Sequence, residues 1–146
     1  MASSLKGPPE HAQDSLAEKV DELFRSNPYS CGLDLAIHHV IPGEAHIRCE
    51  PLPQHMNRHG TWHGGAIWTI ADMVFGAAGF YDGFILTAGS DLTFVRPASG
   101  SETLHAKARQ ITRKGKTGIF EIVISTRADD PDSVVATGMF TGRWAA

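Results

Sequence analysis

The sequence predicts an α+β fold, an antiparallel sheet of about six strands wrapped around a long central helix. Three observations lead there. Ala66, Ile67, Ile70, Ala71, Met73, Val74, Phe75, Ala77 and Ala78 fall on every side of a helix, and a helix apolar all round must be covered all round. Before and after this segment the apolar period falls to two, the mark of strands with one covered face. The last four strand-like segments follow one another through turns with no helix between them, which argues against parallel βαβ units.

The elements follow in order. Residues 1–12 read as a loose tail, and 13–146 as a single domain. Ala12 to Ser26 predict a surface helix: Leu16, Val20, Leu23 and Phe24 share a face, and Asp14, Glu18, Lys19, Asp21 and Glu22 cover the other. Asn27-Pro28 stops it. From Gly32 to Ile41 the apolar residues alternate with polar ones. Pro42-Gly43 turns the chain, and Ala45, Ile47 and Cys49 continue the alternation, so a hairpin is expected. Pro51, Pro53 and Asn57 mark a loop before the central helix, His63 to Phe80, which Asp82-Gly83 ends. Strands are expected over Phe84–Val95, Glu102–Thr112, Lys116–Arg127 and Ser133–Trp144, separated by the Pro97–Gly100, Lys114-Gly115 and Asp129–Asp132 turns.

Composition bounds the function. The chain has 146 residues, enough for one core, with 42% hydrophobic and 20% charged residues. A formal charge of −3 gives no reason to expect nucleic acid or an anionic membrane as partner. Cys31 and Cys49 form no CxxC and no disulfide framework, and Met1–Pro9 has no apolar run of the secretory kind. A cytoplasmic protein with reduced thiols is the expectation. The longest apolar stretch holds Asp72 and several small residues, which argues against a membrane span.

The chemistry concentrates in His63-Gly64-Gly65 and Asp72. Two glycines opening a helix leave backbone N–H groups uncovered, a ready site for an anion or a developing oxyanion. Helix-start flexibility alone would use glycines too. An aspartate within an apolar helix needs a polar partner or a catalytic use. Desolvation by Ile70, Val74 and Phe75 should raise its pKa, making it a better base near neutrality. Nine residues separate His63 from Asp72. On a helix that is roughly 13.5 Å along the axis and about 180° around it. Asp72 therefore cannot act on a carbonyl held by its own helix N-terminus. If both ends serve one site, two copies of the chain must build it, with a two-fold axis generating two sites.

The remaining candidates are weaker. His55, His59 and His63 recur every four residues, but Gly60 and the prolines deny them a continuous helix, and no metal is expected. His63 suits one local hydrogen bond. Asn57 suits either fixing its loop or holding substrate or water. His38, His39 and His46 are expected to face solvent. Trp62, Trp68, Phe75 and Phe80 are candidates for a pocket lining. Arg113-Lys114-Gly115-Lys116 is a basic turn, either a solvated hairpin tip or a contact for substrate phosphates. No P-loop, GxGxxG or GxSxG accompanies it.

These residues match a known pattern. Asn57-x-x-Gly60-x-x-His63-Gly64-Gly65, with Asp72 inside the helix, resembles the hotdog-fold acyl-CoA thioesterases of the phenylacetate-pathway (PaaI-like) and Them2-like group. Asp91-Leu92-Thr93-Phe94-Val95-Arg96-Pro97-Ala98 is similar to that family's strand and turn after the helix. The likeness covers about residues 30–143. It implies a curved antiparallel sheet around a helix, and homodimers often paired into homotetramers. It implies that the Gly64 N–H polarises a thioester carbonyl, with Gly65 and Trp68 also at the substrate. Asp72 of the facing subunit would activate water or attack directly, while Asn57 and His63 orient water and thioester. Thr87 stands where some relatives carry a serine. Arg113, Lys114, Gly115 and Lys116 would meet coenzyme A phosphates. Coenzyme A enters as part of the substrate, and no separate cofactor is implied. The expected reaction is hydrolysis of an acyl-CoA to a free acid and coenzyme A. The alternatives are a non-catalytic acyl-CoA sensor, which would not need Asp72, and a hydratase or dehydratase on the same fold.

Overall fold

The computed structural model describes residues 10–145, with side chains from Ser15 onward. Its elements are α1 (Glu10–Ser26), β1 (Asp34–Ile41), β2 (Glu44–Glu50), α2 (Gly64–Gly79), β3 (Ile85–Phe94), β4 (Leu104–Lys114), β5 (Thr117–Ser125) and β6 (Val134–Trp144). Helix α1 starts two residues before the expected Ala12, and the rest of the expected tail lies outside the described residues. None of the helices among the described residues is long and apolar enough to cross a membrane.

The six strands form one sheet in the order β1-β2-β4-β5-β6-β3, every neighbouring pair antiparallel. Alternation decides which side chains reach α2: Leu104, Ala106 and Ala108 from β4, and Phe120, Ile122 and Ile124 from β5, are all buried. Phe75 of α2 packs edge-on to Phe120 at 5.2 Å and against Phe140 at 5.6 Å. Each such fully buried ring contributes about 2 kcal/mol of transfer free energy. The far end of the helix is tied down by Trp144, whose Nε1–H donates to the Gly79 carbonyl at 2.8 Å. Helix α1 packs against β1 through the apolar face read from its sequence, with Val20 and Phe24 buried.

Strand β3 is different. Among the described residues it pairs only with β6, and most of it is exposed on both faces. Leu86 and Phe94 on it, and Phe84 and Val95 just beyond its ends, are at least half exposed, an apolar patch beside an unpaired backbone edge.

One expectation is overturned. His46 does not face solvent: it is 8% exposed, with the His38 ring 4.5 Å away and His105 Nδ1 3.2 Å from its Nε2. Strand β2 is internal, so imidazoles from β1 and β4 cover His46 from both sides, a neighbourhood that strand order alone creates. Burial, helped by His38 and Lys107, pushes its pKa from 6.5 down to about 4. The unfolded chain therefore binds a proton between these two values that the folded chain refuses. Folding stability should be full above pH 6.5, fall as pH drops towards 4, and lose nothing more from this group below that. Urea melts at pH 7.5 and pH 4.5 test it; in His46→Gln the difference should shrink, and an unchanged difference would acquit this imidazole.

Candidate active site

Helix α2 opens with a side-chain cap. His63 is the N-cap, in extended backbone, and its Nδ1 accepts the Gly65 N–H at 2.8 Å. A Cβ on Gly65 would come within 3.0 Å of that same nitrogen, so the glycine makes room for the cap. Gly64 is the first helical residue, and its N–H finds no acceptor among the described residues. The helix dipole and this open donor make a small positive site, next to the Phe94 ring of β3.

The loop before the helix is held rigidly. Trp62 donates Nε1–H to the Glu102 carbonyl at 2.8 Å and its own N–H to Ala98. The Asn57 Oδ1 accepts from the His59 and Thr61 N–H groups, and its Nδ2 donates to Thr61 Oγ1 at 2.7 Å. Its amide is thus occupied in fixing the loop. The His63 N–H donates to the His55 carbonyl, so these two histidines meet through backbone. Among the described residues no three His, Cys, Asp or Glu side chains are placed to hold a metal.

Asp72 lies further along α2 and is half-buried. Its Oδ1 accepts the Thr87 hydroxyl of β3 at 2.5 Å. Burial raises the carboxyl above its ordinary 3.8, and the Thr87 hydrogen bond opposes that only in part. The carboxylate opens onto a cavity of about 270 Å³ walled by α1, α2 and the start of β3. Thr87 therefore holds one oxygen and orients the other.

Gly64 and Asp72 do not meet within one chain. Eight residues of helix place them roughly 12 Å apart along the axis. Both nonetheless reach β3, Gly64 near its end at Phe94 and Asp72 near its start at Thr87.

The aromatic candidates divide. Phe75 and Phe80 line the Asp72 cavity, Phe75 also serving the core. Trp68 lies on the same half-open face of α2 as Asp72 and donates to Ser90 Oγ of β3 at 3.2 Å. Trp62 belongs to the loop. Phe84, the α1 residues Leu23 and Phe24, and Asn27 just after α1 also line the cavity. Sequence reasoning missed their role, although Leu23 and Phe24 already stood on the apolar face of α1.

In the basic turn, Arg113 is fully engaged: it pairs with Asp82 at 2.7 Å, donates to Tyr81 Oη and the Gly115 carbonyl, and lies 3.7 Å over the Trp144 ring. Gly115 supplies the positive φ of +60° that the turn requires. Lys114 and Lys116 are exposed, without an ion pair among the described residues.

Residues 20–142 match the family model described as a domain of unknown function, DUF4442. The chain is 29% identical over 104 residues to the acyl-coenzyme A thioesterase PaaI of Escherichia coli K12, covering 70% of this chain and 74% of that protein. The structure of the E. coli PaaI protein from the phenylacetic acid degradation operon superposes with a TM-score of 0.78 at 20% identity, over 92% of this chain and 96% of that one. A hypothetical thioesterase from Streptococcus pneumoniae TIGR4, solved with coenzyme A, gives 0.70 at 17% identity, over 77% and 89%. At those identities the two structures speak for the fold.

Proposed function

We propose that this chain, which belongs to the DUF4442 family and is similar to the acyl-coenzyme A thioesterase PaaI, hydrolyses an acyl-CoA thioester to a carboxylic acid and coenzyme A, within one domain and at a site shared by two chains. One observation carries the two-chain reading. The open Gly64 N–H and the Asp72 carboxylate contact opposite ends of the same unpaired edge strand. The midpoint between Thr87 and Phe94 falls at Ser90-Asp91. Antiparallel pairing of β3 with a second β3 about that point brings Asp72 of one chain to Gly64 of the other, and it covers the apolar edge.

In that site the thioester carbonyl accepts the Gly64 N–H. The Asp72 carboxylate takes a proton from water as the oxygen attacks the carbonyl carbon, or attacks it directly and is freed by water in a second step. The C–S bond breaks, and coenzyme A leaves as thiolate and takes up a proton. A donor aimed at the developing oxyanion contributes about 3 kcal/mol to lowering the barrier. Thr87 positions the carboxylate, His63 and Asn57 hold the helix start and its loop, and Gly65 and Trp68 border the acyl ester. Lys114 and Lys116 are the available cations for the coenzyme A phosphates. This chemistry uses no resident cofactor.

The test is a thiol-release assay over an acyl-CoA panel, run beside sedimentation velocity. Release of coenzyme A by a dimer or tetramer is the expected result. Binding without release would indicate a sensor, loss of enoyl absorbance without thiol a hydratase, and full activity in a strict monomer would end the shared-site reading.

A further inference from the structure

Gly76 is a glycine that neither turn nor packing demands. It sits in the interior of α2, where glycine weakens a helix more than any residue but proline. It has no positive φ, and a Cβ built on it would meet nothing within 4 Å. Gly79 is the contrast on the same helix: a Cβ there would strike Ile85 at 2.8 Å. Gly76 is one turn from Asp72 on the same face, and both line the same cavity. Across it stand Phe24 of α1 with Phe80 and Phe84, and the polar side chains lining it among the described residues are Asp72, Thr87 and Asn27. Its volume of about 270 Å³ corresponds to roughly nine water-sized units of 30 Å³.

We propose that the missing side chain of Gly76 holds this cavity open for the acyl group, and that the residue sets the bulk admitted: a compact apolar acyl chain or ring, of octanoyl or benzoyl size, while a hexadecanoyl chain overfills it. The proposal rests on the thioesterase reading for its chemistry, and on the cavity alone for its geometry. An apolar wall beside a single carboxylate excludes a charged acyl tail. The three phenylalanine rings favour a ring or saturated chain over a polar acyl group.

The test is Gly76→Ala and Gly76→Val against acetyl-, benzoyl-, octanoyl- and hexadecanoyl-CoA. Because a Cβ at position 76 meets nothing within 4 Å, Gly76→Ala should melt no lower than the parent, and it keeps the test readable if Gly76→Val folds less well. The ratio of kcat/KM for benzoyl- or octanoyl-CoA to that for acetyl-CoA should fall about tenfold or more in Gly76→Val, and less in Gly76→Ala. In parallel, benzamide and octanamide, neutral mimics of the acyl part, should protect the parent against thermal unfolding and protect Gly76→Val much less. Unchanged ratios, or amide protection independent of residue 76, overturn the proposal. Absence of thiol release from every ester, with amide protection still lost in Gly76→Val, overturns the hydrolytic reading and leaves the cavity assignment standing.

Discussion

Asp72→Asn should lower thiol release by about a thousandfold, within the range for loss of a positioned base. The substitution is nearly isosteric, and the Asn carbonyl oxygen can still accept the Thr87 hydroxyl that now reaches Oδ1 at 2.5 Å. Packing is preserved, so the loss reads on chemistry. Stability carries an independent sign. The folded pKa of Asp72 is raised, so this group favours folding in its protonated form, and that contribution disappears as pH rises through the folded value. At neutral pH the ionised carboxylate is held against desolvation, and Asn removes the cost. The variant should therefore melt no lower than the parent at pH 7.5 while losing its turnover. In the parent, kcat/KM should rise with pH through the raised pKa of Asp72 and then level off. More than a tenth of the activity left in Asp72→Asn would remove this carboxylate from the mechanism.

Gly138→Ala should be the most damaging single-methyl addition. Gly138 of β6 pairs with Leu92 of β3, and a Cβ on it would overlap the Asp91 carbonyl and stand 2.9 Å from the Leu92 Cα. These are backbone atoms, so no rotamer change relieves the clash, and the strands must separate. We expect a loss of about 3 kcal/mol, at the upper end of overpacking effects. Gly32→Ala is the control, since a Cβ there meets nothing within 4 Å. Urea melts of the two variants give the comparison. Because β3 carries Thr87 and the edge proposed for self-pairing, Gly138→Ala should also shift the protein towards monomer and lower thiol release. Equal stability of the two variants would mean that the β3–β6 spacing yields freely.

Much of the fold was legible because its signals are local. The central helix was expected over His63–Phe80 and runs from Gly64 to Gly79, with those two residues as its caps. An all-round apolar pattern and an Asp-Gly stop require no knowledge of the partner strands. The four C-terminal strands fall within two residues of their expected ends, since period-two alternation and turn residues mark each one. Strand order was not legible. Nothing local says that β3 passes over β4 and β5 to pair with β6, and the mistake over His46 follows from that blindness. The site was half visible. Asp72 and the glycines declare themselves through chemistry that is costly in a helix. The Thr87–Asp72 hydrogen bond, the capture of Arg113 by Asp82 and Trp144, and the α1 wall of the cavity are long-range contacts. Resemblance could suggest only the first of them.

The place of β3 also dictates an order of assembly. The strand is complete at Phe94, but its one partner strand among the described residues begins only at Val134. During synthesis β3 emerges first and waits, its backbone N–H and C=O groups without a partner strand on either edge, until the last strand leaves the ribosome. An unpaired strand edge in that interval is open to pairing with other chains. A truncation that removes β6 would orphan β3 as well.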